Sequence, residues 1–496
     1  MNLNPSQSHA VNHEGSHLLI VAGPGTGKTH TSICRIVKFL KELKESQKIL
    51  AVTFTNKAAH QMQERLQKIS PGSFEKIFIG TFHQFCLSLL RQYSKHTNLP
   101  QDFRVGEPQE IEALVKSLWP DMTASQRSKI LEEISQLKSR VSSPQEDFLT
   151  QYNQFLRANN LLDFDDLLLE TLKCLQGNPG VLREIQATYP FIFIDEYQDI
   201  NEVQHALLKI LIGENNFLTA IGDPHQAIYG FRGSDVRFFE SFVKDFKGAC
   251  ILTLEDNYRS TANLLKASSQ IIQKSSDFKA PALVAKIYKQ GRLIIHQTPT
   301  DKAEAEYVVH QIEKLVGGTS MFSRDSGRVN SGEEGQYGFG DIAVLYRLNA
   351  LNRPLKEAFE RSGIPYQISG ENSSPVADES YQLRVDKVSL LTLHASKGLE
   401  FSVVFIVGCE ENLLPLMLES LKTDPEEERR LFYVGMTRAK ERLYLIHAQK
   451  RFLFGRLTHN APSVFLKDIE EDLKEYEQAS KIKRRPKEAQ LTLFEN

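Results

Sequence analysis

The sequence predicts an α/β protein of two domains, each a parallel sheet covered by helices, with a helical insertion in the first. Three observations predict it. Short apolar runs alternate with amphipathic stretches from Leu18 onward. The alternation breaks between about residues 94 and 162, where the chain turns polar and helical. A second set of apolar runs starts near Leu293. Strand–helix alternation implies crossover connections, and these build parallel sheets. At 496 residues the chain exceeds the roughly 100–200 residues of one domain.

The candidate strands of the first domain are Leu18–Val21, Ile49–Phe54, Ile77–Ile79, Phe191–Ile194 and Leu218–Ile221. After the first of them, Ile33, Ile36, Val37, Leu40 and Leu43 recur with the helical period. The second domain takes Leu293–His296, Asp341–Tyr346, Ser389–Leu393, Val403–Val407 and Leu443–His447. These readings divide the chain into a first domain at 1–93 and 163–257, an insertion at 94–162, a second domain at 258–467 and a charged tail at 468–496. The Gly- and Ser-rich stretch from Gly317 to Gly340 reads as a surface loop.

Hydrophobic content of 41% and charged content of 25% fit a globular chain. The net charge of -2 excludes a small basic DNA-binding module, so any nucleic acid must be held in a local groove. Five scattered cysteines without a C-x-x-C pair argue against zinc, iron–sulfur or disulfide frameworks, and for a reducing, cytoplasmic setting. The polar N-terminus is not a signal peptide, and no apolar run approaches the roughly 20 residues of a membrane span.

LLIVAGPGTGKT (18–29) reads as strand, glycine-rich loop and helix start. Backbone N–H groups of Ala22, Gly23, Pro24 (which lacks one), Gly25, Thr26 and Gly27 form a phosphate-binding loop, reinforced by the helix N-terminus. Lys28 suits the β- and γ-phosphates of ATP, and Thr29 suits Mg²⁺. FIFIDEYQD (191–199) is an apolar strand ending in an acidic pair. Asp195 suits a second contact to Mg²⁺, and Glu196 suits polarising the attacking water. Alone, such a pair is weak evidence, since it could also cap a helix. Phosphoryl transfer also needs cations for developing charge, and Arg259 and Arg438 stand out.

Taken together, these motifs resemble the UvrD/Rep family of superfamily 1 DNA helicases. The resemblance runs in order through LNPSQSHAV (3–11), AGPGTGKT (22–29), AVTFTNKAAHQM (51–62), GTFHQF (80–85), DEYQD (195–199), AIGDPHQAIYGFRGS (220–234), LEDNYRS (254–260), DIAVLYR (341–347), LTLHASKGLEF (391–401) and EEERRLFYVGMTRAKERL (426–443). It implies two RecA-like P-loop motor domains with ATP between them, and travel 3′ to 5′ along single-stranded DNA in repair or replication. It also implies Gln7 at adenine, Gln226 sensing the γ-phosphate, Arg259 and Arg438 as fingers, and Gly398 and Glu400 near ribose and phosphates. Monomer or transient dimer are both compatible with it.

A single strand is held by base stacking and phosphate contacts. The candidates are Phe54, Thr81, Phe82, His83, Tyr229, Phe231 and Arg232, with core packing as the alternative for each aromatic. Phe231 stands where the family usually has Trp, which implies weaker stacking. The only tryptophan, Trp119, reads as a packing residue. After SGIPYQISG (362–370) the family normally inserts a helical subdomain that contacts duplex DNA, and this chain has only a short stretch there. ATPase activity and single-strand movement survive that loss in principle. Duplex unwinding by a lone monomer does not follow. The end QLTLF (490–494) resembles the bacterial motif for the replication sliding clamp, with Gln490 at the pocket rim and Leu491, Leu493 and Phe494 inside it. The alternative is an apolar chain end folded back on the protein. An ATP-gated binding switch without turnover and an RNA helicase are the competing functions. Intact Lys28, Glu196, Gln226, Arg259 and Arg438 speak against the first.

Overall fold

The computed structural model describes residues 3–142, 146–275, 281–317, 337–368, 386–417 and 423–477. Two parallel sheets organise them. The first has six strands in the spatial order Ile77–Thr81, Ile49–Thr53, Phe191–Ile194, Phe217–Gly222, Leu18–Ala22 and Cys250–Leu254. Every pairing in it is parallel. Its strands are near-continuous apolar runs because helices cover both faces. Strand Ile49–Thr53 is buried at every position.

The second sheet has seven strands, ordered Tyr366–Ile368, Val388–Thr392, Ile342–Tyr346, Phe401–Ile406, Ala439–Ala448, Arg292–Thr298 and Glu475–Glu477, again all parallel. The ten predicted strands are present, with ends shifted by a residue or two, except that the last begins four residues earlier, at Ala439. Three further strands of these two sheets escaped prediction: Cys250–Leu254, Tyr366–Ile368 and Glu475–Glu477. The last lies inside the stretch read as tail. It has no apolar alternation to betray it, since an edge strand is supported from one side only. Glu475 pairs with Arg292 at 2.8 Å, and the Tyr307 hydroxyl donates to Glu477.

The interruption of the first sheet holds three helices, Pro108–Leu118, Ala124–Lys138 and Asp147–Ala158, around their own small core of Ile111, Val115, Ile134, Tyr152, Leu156 and Leu161. Trp119 packs against that core, as expected. The segment's entry and exit meet where Arg104–Val105 pairs with Leu161–Leu162. Lys138, 3% exposed, ties it down by donating to Asp163 and Asp166, both at 2.7 Å. Burial alone would lower the Lys138 pKa, but the two carboxylates outweigh it and hold the pKa above the usual lysine value.

The C-terminal ends of both sheets, where the βα loops emerge, supply the residues considered next. The five residues of QLTLF lie outside the described residues.

Candidate nucleotide site and nucleic-acid interface

The strand Leu18–Ala22 ends on the glycine loop, and helix Lys28–Leu40 begins at once behind it. Gly25 and Gly27 have φ of 70° and 84°, the left-handed region that side chains avoid. Space forbids a side chain there as well. A Cβ on Gly25 would sit 2.5 Å from the Arg259 Cβ, and one on Gly27 would sit 2.7 Å from the Gln7 Nε2. The loop is braced from three directions. Thr26 Oγ1 donates to the Gly23 carbonyl at 2.8 Å, Gln7 Nε2 to the Thr26 carbonyl at 3.0 Å, and Asn257 Nδ2 to the Pro24 carbonyl at 2.6 Å. Gln7 thus spends its donor on the loop, and its Oε1 accepts from Asn4 N at 3.1 Å. Lys28 Nζ donates to the carbonyls of Ala22 and Gly23 at 3.0 and 3.4 Å. Thr29 stands on the first turn of the helix.

The acidic pair closes the strand Phe191–Ile194 on the same sheet. Glu196 holds φ at 54°, a conformation rare outside glycine and costing on the order of 1 kcal/mol, found where surrounding structure fixes it. It accepts from Gln198 Nε2. Burial would raise its pKa, yet the cations of Lys397 and Lys28, with Arg438 beyond, outweigh that and hold it below the usual glutamate value. Asp195, buried beside the Glu196 charge, is pushed up to about 7. The two carboxylates are therefore poised differently: Glu196 stays ionised, while Asp195 sits where a cation would be welcomed.

From the second domain, Arg438 reaches across with Nη2 3.4 Å from Gln226 Oε1. Its side chain is 1% exposed. Burial, then the neighbouring Arg259, lower its pKa to about 9. Gln226 Nε2 in turn donates to Asp223 at 2.7 Å. Arg259 pairs with Glu400 at 2.7 Å, and Lys440 holds the other Glu400 oxygen at 2.8 Å. Gly398 lies in the same loop with φ of 81°. Lys28, Glu196, Gln226, Arg259, Arg438 and Glu400 thus line one cleft drawn from both domains. Arg259 beside the glycine loop and the buried Arg438 beyond it are chemically suited to a polyphosphate, and the hard oxygen donors of Thr29 and Asp195 suit Mg²⁺.

Sequence reasoning passed over several residues of this cleft. Asn257 is fully buried and joins the halves: besides holding Pro24, its Oδ1 accepts from the N–H groups of Arg259 and Ser260. Lys397 donates to Asp199 at 2.6 and 2.8 Å and to the Gln226 carbonyl at 2.6 Å. Both residues stand inside motifs already singled out, LEDNYRS and ASKGLEF. The available signal was a polar side chain within a motif. What each one touches could not be read from the sequence.

The stacking candidates divide. Phe54 and Tyr229 lie face to face, with centroids 5.1 Å apart and planes 14° apart. Phe231 is edge-on to Tyr229 at 6.1 Å and to His394 at 5.6 Å, and it is 53% exposed. Arg232 lies over both Tyr229 and Phe231, at 5.1 and 5.5 Å. That is a cationic aromatic ledge, suited to bases and phosphates. Thr81 instead caps the helix Phe82–Gln92, accepting from Gln84 N at 3.3 Å. Phe82, 7% exposed, belongs to the first domain's core, because the helical period turns it inward there. His83 stands apart, edge-on to Phe164 at 5.9 Å, with burial lowering its pKa to about 4. His394, missed in the sequence, joins the ledge.

The fold and this shared cleft define a P-loop protein of two parallel-sheet domains. Residues 3–247 match the UvrD/REP helicase N-terminal domain, and residues 252–374 and 373–450 match the UvrD-like helicase C-terminal domain. The chain belongs to the UvrD/Rep family of superfamily 1 helicases. It is similar to the ATP-dependent DNA helicase PcrA of Staphylococcus aureus strain Mu50, 27% identical over 97% of this chain and 88% of the relative. The Staphylococcus epidermidis strain RP62A protein of the same name is 28% identical over 95% and 87%. The aligned stretch with the S. aureus protein spans 657 positions, more than the 496 residues of this chain. The C-terminal match breaks at residues 373–374, within the stretch where the sequence lacks the family's helical insertion. Among the described residues, no helix is long and apolar enough to cross a membrane.

Proposed function

We propose that this chain is an ATP-driven motor that moves 3′ to 5′ along single-stranded DNA, serving repair or replication at junctions. One observation carries the reading: Arg438 of the second domain meets Gln226 of the first within the cleft that also holds Lys28 and Glu196. ATP bound there touches both domains, so binding and hydrolysis change how the domains sit. Lys28, Arg259 and Arg438 offset charge on the transferred phosphoryl group. Glu196, held ionised, orients and deprotonates the attacking water. Gln226 senses the γ-phosphate through its contact with Arg438. Thr29 and Asp195 would hold Mg²⁺, which supplies charge neutralisation at the β- and γ-oxygens. Gln7 and Glu400 border the nucleoside side. Phe54, Tyr229, Phe231 and Arg232 grip the strand. In this reading the divisions at residues 93, 162, 257 and 467 separate the first motor, the insertion, the rest of the first motor, the second motor and the tail, whose strand Glu475–Glu477 joins the second sheet.

Phosphate release with and without single-stranded oligonucleotides tests it, followed by displacement of partial duplexes with 3′ or 5′ tails. Release that stays flat at every oligonucleotide length sinks the motor. Preference for a 5′ tail reverses the direction.

A second reading is favoured by the short connection of residues 369–387 between strands Tyr366–Ile368 and Val388–Thr392. A connection of that length is too short for the family's helical subdomain, so the motor strips proteins from a strand more readily than it separates a duplex. Streptavidin displacement without duplex unwinding supports this version. The tail QLTLF is proposed to engage a sliding clamp through Gln490, Leu491, Leu493 and Phe494. Clamp capture unchanged by deletion of residues 490–496 refutes that.

A further inference from the structure

The ledge is built on a short backbone run, Ala227 to Gly230, that belongs to the first domain. One helix of the second domain, Pro425–Met436, holds both ends of it. Arg430 Nε donates to the Ala227 carbonyl at 2.8 Å. The Glu427 carboxylate accepts from the Gly230 N–H at 3.2 Å. Residues three apart share a helix face, so the two contacts act as a pair. The approach is close: a Cβ on Gly230 would lie 2.5 Å from Glu427 Oε2, so any side chain there would push the carboxylate off its contact. Two residues beyond the helix end stands Arg438, against the Gln226 side chain. A single rigid element therefore touches positions 226, 227 and 230, and the rings of Tyr229 and Phe231 flank the last of these.

We propose that Glu427 and Arg430 are positioning residues that carry motion of Arg438 into the stacking loop, so that the nucleotide state sets the grip on the strand. The proposal rests on the motor reading above. Arg438 is buried at the nucleotide cleft, and the helix is too stiff to absorb a shift of its end. Backbone contacts at both ends of the loop transmit that shift to the peptide units that aim Tyr229 and Phe231. Side-chain contacts with the rings alone would let them rotate independently. Arg430 also faces Asp424 at 3.5 Å, which keeps its guanidinium on the helix and directed at the loop.

Coupling between two ligands is read as the ratio of oligonucleotide affinities with and without a non-hydrolysable ATP analogue. The full chain is compared with E427A, E427Q and E426A. Glu426 lies on the same turn but accepts from Ser275, away from the loop, so E426A controls for loss of a carboxylate at this helix end. In E427A the ratio should fall by about tenfold, with basal phosphate release in the absence of DNA unchanged. E427Q should keep the ratio, because an amide oxygen still accepts from Gly230 N–H. A wild-type ratio in E427A, or an equal fall in E426A, overturns the clamp while leaving the motor intact. A wild-type chain showing neither a ratio above one nor DNA-stimulated turnover overturns both.

Discussion

Lys397, from the second domain, donates to both carboxylate oxygens of Asp199 in the first, at 2.8 and 2.6 Å, where Asp199 is 3% exposed. Even with this partner, burial pushes the Asp199 carboxyl up to about 7. Burial would lower the Lys397 pKa, but Asp199 and Glu196 outweigh it and hold it above the usual lysine value. Removing one member of a buried pair leaves the other uncompensated, at about 3–5 kcal/mol. Lys397→Ala should therefore lower both the melting temperature and DNA-stimulated phosphate release. A melting curve and a turnover rate equal to wild type would show that the pair contributes nothing.

Lys28→Ala removes the cation nearest the phosphates and should reduce turnover by at least about 100-fold. Glu196→Gln keeps the shape but not the base. It should bind a fluorescent ATP analogue as wild type does while losing turnover. Steady-state phosphate release beside equilibrium binding separates the two outcomes, and wild-type turnover in Glu196→Gln removes the base assignment.

Tyr229→Ala breaks the stack with Phe54 and should weaken single-strand binding by about 1–3 kcal/mol, read by fluorescence anisotropy. Phe231→Trp enlarges the exposed ring and should tighten binding. Phe82→Ala should instead act through stability, since a buried Phe truncated in a core costs about 3–5 kcal/mol. A Phe82→Ala protein with unchanged melting and weakened DNA binding would return that residue to the interface.

Acid should destabilise the ledge through His394. Burial, with Arg347, Arg232 and Lys397 nearby, lowers its pKa from 6.5 to about 3. A depressed pKa means the unfolded chain takes up the proton first. The stability this neutral ring contributes is thus complete above pH 6.5 and is lost progressively as pH falls toward 3. His394→Asn cannot be protonated, so it should lose less stability than wild type between pH 7 and 5, by on the order of 1 kcal/mol. Parallel denaturant titrations at the two pH values check this, and identical losses reject it.

Lys138→Ala should be the most damaging change outside the cleft. It takes the cation from Asp163, leaves Asp166 with Arg157 alone and loosens the insertion from the helix Phe164–Gly177. The expected cost is about 3–5 kcal/mol, seen as a lowered melting temperature. Lys138→Met, which keeps volume but not charge, should be no better, because Asp163 still lacks a cation.

The sequence by itself determined what local pattern and local chemistry control. Apolar runs bounded by turns marked ten of the thirteen strands in the two sheets. Gly25, Gly27 and Lys28 between a strand and a helix announced the phosphate loop, since the glycines suit left-handed backbone and the lysine suits an anion. The tertiary structure alone decided the long-range pairings. Nothing near Lys397 in the chain points to Asp199, nearly two hundred residues away, and nothing in EEERRL shows that Glu427 meets Gly230. The direction Phe82 faces was also decided there, because an aromatic ring packs in a core or stacks on a base with equal chemical ease. The strand Glu475–Glu477 stayed hidden for the same reason: its place is fixed by hydrogen bonds to Ile294–His296, which leave no mark on its own residues.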